Sequence, residues 1–160
     1  MTDAESLLAV EEIKALMARR IRAMDTKDWA LYDTCHAPDA TLDSFGTLPD
    51  QHKPAGSIAR GKQQILEMIQ KVVDGKVKLT TVHHAHTPEI TITGPDTAKG
   101  VWAMEDLLWW QNGDVTEHLR GFGHYHETYE KIGDAWFIKS RVLTRLRVDS
   151  TPDFQSYYDK

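Results

Sequence analysis

Three histidines, His83, His84 and His86, lie close together in the sequence. Histidine can accept and release a proton near neutral pH, so one placed in a cavity could act as a general base. Side chains alternate along a strand, so His83 faces one side and His84 and His86 face the other. His84 and His86 could share a metal ion, but no third ligand is identifiable, and we expect no metal site.

Two charged residues interrupt the pattern of the predicted first helix. Arg20 falls inside the buried stripe, so it either extends its head to solvent or a carboxylate, or lines an interior pocket. Asp25 closes the same helix, where the helix dipole disfavours a negative charge. It is therefore either an exposed loop aspartate or a carboxylate turned inward to hold a histidine.

The predicted strands carry further polar residues that could face a pocket. Asp106 shares its strand face with Trp102 and other apolar side chains, so its carboxyl is either paired or has a raised pKa. Arg145 has the same parity as three other cations, which favours a solvent-exposed row. A second aromatic and imidazole group shares one face of a later strand: Phe122, His124 and His126.

The composition is that of an ordinary folded domain. The 160 residues include 19 Lys and Arg against 24 Asp and Glu, a formal net charge of −5. Without a basic cluster this argues against a nucleic-acid partner, and no apolar run approaches the ~20 residues that cross a bilayer. The first six residues lack the features of a signal peptide, and Cys35 is the single cysteine. We therefore expect a cytoplasmic protein that does not act at a membrane.

Hydrophobic spacing predicts helices in the first half of the chain and strands in the second. Thr2 and Glu5 form a capping box ahead of apolar residues that recur every three or four positions. Asn112 and Gly113 are a strong hairpin signal. We place helices at about residues 4–25, 28–35 and 63–73, and strands at about 41–45, 76–86, 89–93, 99–110, 119–131 and 135–148.

These elements predict an α+β domain. N-terminal helices would pack against a strongly curved, mostly antiparallel sheet that can enclose a pocket. Residues 46–61 are rich in Gly and Pro and predict a loop, with a lid as one interpretation. The strand at 99–110 is apolar on both faces, so we expect both faces to be covered, which fits packing in a homo-oligomer.

The order of these elements resembles the SnoaL-like branch of the nuclear-transport-factor-2-like superfamily. The shared motifs are residues 24–29, the histidine strand and residues 129–136. The similarity covers about residues 5–148; it is strongest to bile-acid 7α-dehydratases and looser to scytalone dehydratase and hexachlorocyclohexane dehydrochlorinase. It implies one domain over residues 1–160, with a tail from 149–160, folded as a cone-shaped α+β barrel with a mixed sheet.

The resemblance also implies roles for individual residues. His83 matches the catalytic histidine and Asp25 its carboxylate partner, while Asp106 and Arg145 match polar residues of the pocket. Position 20 departs from the bile-acid enzymes, which carry a tyrosine there, whereas the dehydrochlorinase has a lysine; Arg20 keeps a cation. The acid for a leaving group is therefore open.

Several aromatic and imidazole residues complete the expected site. His126 or His124 is a candidate for the missing acid, as the resemblance to scytalone dehydratase implies a second histidine. We expect the apolar part of the pocket to include aromatic side chains, among them Trp29, Trp102 and Phe122.

These expectations favour a cofactor-free lyase of the dehydratase type. His83 would remove a proton beside the carbonyl of a β-hydroxy compound of steroid-like or polycyclic shape, while Asp25 holds the imidazole. An isomerase, a cyclase or a dehydrohalogenase could use the same base. A non-catalytic binding or assembly module is the third interpretation, and it predicts an exposed Asp25 far from His83. The resemblance implies no cofactor and a homo-oligomer, either dimer or trimer.

Overall fold

The computed structural model describes residues 2–160, apart from the side chains of residues 158 and 159. Its helices are α1 (Asp3–Asp25), α2 (Trp29–Asp33) and α3 (Lys62–Val73). Its strands are β1 (His36–Asp43), β2 (Ile58–Arg60), β3 (Thr80–Gly94), β4 (Thr97–Asn112), β5 (Val115–Ile132) and β6 (Ala135–Ser150). Short 3-10 turns occur at Asp50–His52 and Phe154–Asp159.

The strands form one sheet in the order β2-β1-β6-β5-β4-β3. β1 pairs with β6 in parallel, and the other neighbours are antiparallel. The predicted α+β architecture, with helices packed on a curved and mostly antiparallel mixed sheet, is confirmed.

Helix α1 begins and packs as its sequence predicts. The backbone N–H of Thr2 donates to the Glu5 carboxylate at 2.6 Å, and the backbone N–H of Glu5 donates to the Thr2 hydroxyl at 3.3 Å. These bonds satisfy N–H groups that a helix start leaves unpaired. Ile13 and Leu16, on the apolar stripe of α1, are fully buried, and this stripe anchors the helix to the sheet.

Three predicted boundaries were wrong. The segments at 76–86 and 89–93 form the single strand β3, which continues past an irregularity between Ala85 and Pro88 because β4 pairs with both sides of it. β1 starts at His36 rather than residue 41. The predicted loop at 46–61 contains β2, which adds an edge strand beside β1.

Two irregularities in β6 decide which of its side chains face inward. Tyr129 pairs with Ile138 and Thr128 pairs with Ser140, so Lys139 is an extra residue. A second shift leaves Leu146 as the extra residue, 75% exposed. Each bulge reverses the alternation, because the side-chain period of a strand is two.

The C-terminal segment belongs to the core rather than to a free tail. Phe154 is 1% exposed, and it packs with Tyr157, Leu79, Trp110 and Leu119. The indole N–H of Trp110 donates to the Phe154 carbonyl at 3.0 Å, which fixes the segment against the end of the sheet.

The outer face of β4 is only partly covered within one chain. Val101, Ala103, Leu107 and Trp109 on that face are partly exposed, so the predicted coverage by another subunit stays a prediction. None of the described helices is long and apolar enough to span a membrane.

Candidate active site

A cavity of about 620 Å³ lies between α1, α3 and the concave face of the sheet. Most of its lining is apolar. Helix α3 contributes Met68, Ile69 and Val72, and strands β4 to β6 contribute Leu108, Leu119 and Leu143. Polar side chains enter this lining at a few points, which is typical of a small-molecule site.

The imidazole of His83 meets the carboxylate of Asp25 at the edge of this cavity. The end of α1 brings Asp25 beside β3, where His83 Nδ1 lies 2.6 Å from Asp25 Oδ1. A carboxylate only accepts, so Nδ1 carries the hydrogen and Nε2 is the free, basic nitrogen. The backbone N–H of His83 donates to Asp25 Oδ2 at 2.9 Å, and the Thr81 hydroxyl donates to Oδ1 at 2.8 Å.

These contacts keep the Asp25 carboxylate ionised. Partial burial acts to raise its pKa, but the hydrogen bonds and charge of His83, together with the Thr81 hydroxyl, outweigh burial and lower it. A charged carboxylate fixes the tautomer of the imidazole and stabilises the imidazolium once it forms.

Asp106 and Arg145 form a bidentate ion pair in the wall of the cavity. Arg145 Nη1 donates to Asp106 Oδ1 at 2.8 Å, and Nη2 donates to Oδ2 at 2.6 Å. Of the two alternatives for the Asp106 carboxyl, a charged partner or a raised pKa, the structure therefore shows the charged partner. Strand parity, which favoured a solvent-exposed row of cations, misplaced Arg141 and Arg145, because the bulge at Lys139 turns them inward. Arg145 lines the cavity, the position that the resemblance implied.

Arg20 lies inside the protein, at the inner end of the cavity. It is 3% exposed, and its Cζ atom lies 5.5 Å from the ring centre of Tyr32 and 5.6 Å from that of Tyr125. Its Nε and Nη1 atoms are buried without a hydrogen bond. Aromatic faces thus stabilise this cation, rather than solvent or any carboxylate among the described ion pairs.

A buried acid that the sequence analysis missed supports this end of the cavity. Glu127 accepts hydrogen bonds from the Tyr129 hydroxyl and from Arg141 Nε. Trp102 Nε1 donates to the Tyr129 hydroxyl at 2.7 Å. Burial raises the pKa of Glu127 to about 7, against the hydrogen bond of Tyr129 and the charge of Arg20, which lower it. A signal for this acid was present in the sequence, because Glu127 alternates with Tyr125 and Tyr129 along β5 and so shares a strand face with two large rings.

The prediction that the β5 histidines face the pocket was wrong, because the opposite face of the strand is the inner one. Phe122, His124 and His126 share a face, as expected, but it is the outer face of the sheet, and His126 is exposed. His126 Nε2 lies 3.0 Å from the Thr144 hydroxyl. The inner face carries Tyr125, which lines the cavity.

Two tryptophans expected in the pocket lie elsewhere. Trp29 packs edge-on against Tyr32, 6.0 Å between ring centres, and donates to Asp74 at 3.2 Å. Trp102 is 4% exposed and belongs to the core between α1 and the sheet. Neither is part of the cavity lining.

His84 and His86 lie on the outer face of β3, with ring centres 6.2 Å apart. His84 Nδ1 lies 3.6 Å from the carboxylate of Glu105. Among the residues that the structure describes, no group of three or more His, Cys, Asp or Glu side chains is arranged to hold a metal ion.

Comparison with known proteins identifies relatives of this chain. The SnoaL-like domain family matches residues 5–142. A protein of Gibberella zeae named probable cyclase FGR4 is 30% identical in an alignment of 140 residues, which covers 84% of this chain and 89% of FGR4.

Solved structures share the fold at low identity. A protein of Novosphingobium aromaticivorans DSM 12444, named putative scytalone dehydratase, superposes with a TM-score of 0.78 at 14% identity, over 92% of this chain and 91% of that one. The hexachlorocyclohexane dehydrochlorinase LinA-type3 of Novosphingobium barchaimii LL02 superposes with a TM-score of 0.77 at 13% identity, over 94% and 95%.

Proposed function

This chain belongs to the SnoaL-like domain family, as its motifs predicted, and on that premise we propose that it is an enzyme that removes a proton from a carbon acid. The observation that carries the proposal is the contact of His83 with Asp25 at the wall of a largely apolar cavity. A base held by a carboxylate in such surroundings is suited to a weakly acidic C–H bond. The contact favours catalysis over a non-catalytic module, which predicted an exposed Asp25 far from His83.

The proposed first step uses only side chains of this chain. Nε2 of His83 takes the proton from a carbon next to a carbonyl, and the electron pair of the C–H bond moves toward the carbonyl oxygen. Asp25 stays ionised and holds the Nδ1–H, so the resulting imidazolium is stabilised in place. The guanidinium groups of Arg20 and Arg141, at the inner end of the cavity, stabilise the negative charge on the oxygen.

Elimination of water is the first candidate for the next step. In a β-hydroxy carbonyl compound the oxygen then re-forms the carbonyl, the electron pair from the C–H bond becomes a double bond between the α and β carbons, and the C–O bond to the β-hydroxyl breaks. The hydroxide takes a proton, and water leaves. A halide could depart in the same way without a proton. The second histidine expected as the acid lies on the outer face, so the imidazolium of His83 is the proton source within this set of residues.

Cyclisation or isomerisation is the second candidate, and one specific observation favours it. FGR4, the relative at 30% identity, carries the name probable cyclase. In a cyclisation the same carbanion attacks a second carbonyl carbon of the substrate, a carbon–carbon bond forms, and the π electron pair of that carbonyl moves to its oxygen. This oxygen takes back the proton from the His83 imidazolium, and no group leaves. The size and apolar lining of the cavity suit a polycyclic or steroid-like compound under both candidates.

Turnover of a panel of polycyclic β-hydroxy ketones and diketones tests the proposal. Mass spectrometry separates the candidates, because elimination yields a product lighter by one water molecule, whereas cyclisation or isomerisation yields a new compound of unchanged mass. His83→Ala should lower the rate by about 10²–10⁴-fold. His84→Ala is the matched control, since His84 follows directly and is exposed on the outer face. Equal losses in both variants, or none in His83→Ala, would refute the role of His83.

The oligomeric state stays a prediction. A dimer or trimer that covers the outer face of β4 is expected, and light scattering of the purified protein measures it. A monomer at micromolar concentration would contradict the expectation.

A further inference from the structure

Tyr125 occupies a position in the cavity that no role yet accounts for. It lies on the inner face of β5, is 4% exposed, and lines the same cavity as His83. Its ring lies next to two guanidinium groups, with Cζ of Arg141 4.3 Å and Cζ of Arg20 5.6 Å from its centre. Glu127 holds Arg141 in this place.

The phenol of Tyr125 keeps its hydrogen. Burial raises the pKa of Tyr125 to about 12, against the positive charges of Arg20 and Arg145, which lower it. A guanidinium only donates hydrogen bonds, so neither cation accepts the phenol hydrogen. That hydrogen is then available to an acceptor in the cavity.

Carboxylates hold two of the three guanidinium groups around Tyr125. Both Nη atoms of Arg145 bind Asp106. Arg141 directs Nε and Nη2 at Glu127. By contrast, Arg20 Nε, Arg20 Nη1 and Arg141 Nη1 are buried without a hydrogen-bond partner. The Tyr125 hydroxyl can therefore turn toward an oxygen of a ligand without breaking an ion pair, next to cationic N–H groups that lack an acceptor.

We infer that Tyr125 binds the substrate oxygen, as a hydrogen-bond donor to the atom that gains negative charge when His83 removes the proton. This inference rests on the proposed function and narrows its substrate class to compounds with a ketone, enone or phenol oxygen. The guanidinium groups of Arg20 and Arg141 flank the donor and favour an oxyanion beside it.

Binding of 2-naphthol tests the inference, because its fluorescence distinguishes the phenol from the phenolate form. Wild type should bind it and lower the pKa of the bound naphthol. Tyr125→Phe should bind about tenfold or more weakly and return that pKa toward its value in water. Tyr32→Phe is the matched control: Tyr32 also lies against Arg20 but outside the cavity lining, so its variant should bind like wild type.

The same measurement separates this inference from the proposed function. His83→Ala should still bind 2-naphthol while losing turnover. Naphthol binding with an unchanged affinity and pKa in Tyr125→Phe, or no binding to wild type, overturns the oxygen-binding role of Tyr125. Full turnover in His83→Ala, with naphthol binding still dependent on Tyr125, overturns the proposed function and leaves the oxygen site standing.

Discussion

Gly121 lies directly against the ion pair of Arg145 with Asp106, and a Cβ atom at position 121 would overlap both Arg145 Nη1 and Asp106 Oδ1. The absence of a side chain on β5 therefore makes room for the pair. Gly121→Ala should force the two groups apart, lower the free energy of unfolding by about 1–3 kcal/mol and reduce turnover.

A double-mutant cycle checks that the loss arises at this contact. In a background of Arg145→Ala with Asp106→Ala the overlap is gone, so Gly121→Ala should cost much less there than in wild type. Chemical denaturation of the four proteins measures the coupling. Additive losses would show that the overlap with the ion pair is not the cause.

Glu127→Gln should destabilise the protein strongly. It leaves the buried guanidinium of Arg141 without a carboxylate, and breaking such a pair costs about 3–5 kcal/mol of unfolding free energy. Adding Arg141→Met should restore part of the loss, since it removes the guanidinium that Glu127→Gln leaves without its carboxylate. The control is Glu130→Gln, at a partly exposed pair with Lys139, for which a change under about 1 kcal/mol is expected. Similar losses in the two single variants would contradict the account.

His36 should make stability depend on pH. Burial, with the nearby charge of Arg20, lowers its pKa to about 3, from an ordinary value of 6.5. The unfolded chain therefore binds a proton between these values and the folded chain does not. His36 therefore does not lower the free energy of unfolding well above pH 6.5. Below that value it lowers the free energy of unfolding by up to about 1.4 kcal/mol for each unit of pH.

Urea unfolding at pH 7 and pH 5 measures this effect. Relative to His36→Asn, wild type should lose about 2 kcal/mol between the two pH values. Asparagine can still donate to the Tyr32 carbonyl, which lies 3.1 Å from His36 Nδ1. The same pH dependence in both proteins would rule out His36 as the source.

Asp25→Asn should reduce turnover far more than it reduces stability. An amide neither fixes the Nδ1–H tautomer of His83 nor balances the imidazolium charge, so a loss of about 10²–10⁴-fold in kcat is expected. Thr81→Val removes one hydrogen bond to the same carboxylate and should cost about tenfold or less. A Thr81→Val loss as large as that of Asp25→Asn would mean that the charge of Asp25 is not what matters.

The sequence was sufficient for the residues whose positions depend on one uninterrupted element. The helical stripe of α1 put Arg20 on the buried face, with the position of its charged head left open, and strand alternation separated His83 from His84. The position of Asp25 at the end of α1 needed the resemblance as well, because its partner is 58 residues away.

The predictions that were wrong concern residues whose positions depend on contacts between elements. The bulge at Lys139 reverses the parity of β6, and no local signal in the sequence predicts it, so strand parity alone favoured the surface for Arg141 and Arg145, and only the resemblance implied a pocket position for Arg145. On β5 the grouping of His124 with His126 was right, but alternation alone does not say which face is inner. The tyrosines of the other face, Tyr125 and Tyr129, were the better guide, since their large rings fill the core.

The most direct test of the central claim is hydrogen exchange at carbon. Polycyclic ketones incubated with the protein in deuterated water should acquire deuterium at the carbon beside the carbonyl, even where no later step follows, because His83 removes and returns that proton. Proton NMR should show exchange with wild type and with His84→Ala, and none above background with His83→Ala or Asp25→Asn. Exchange that is equally fast with His83→Ala would contradict the claim that this imidazole takes hydrogen from carbon.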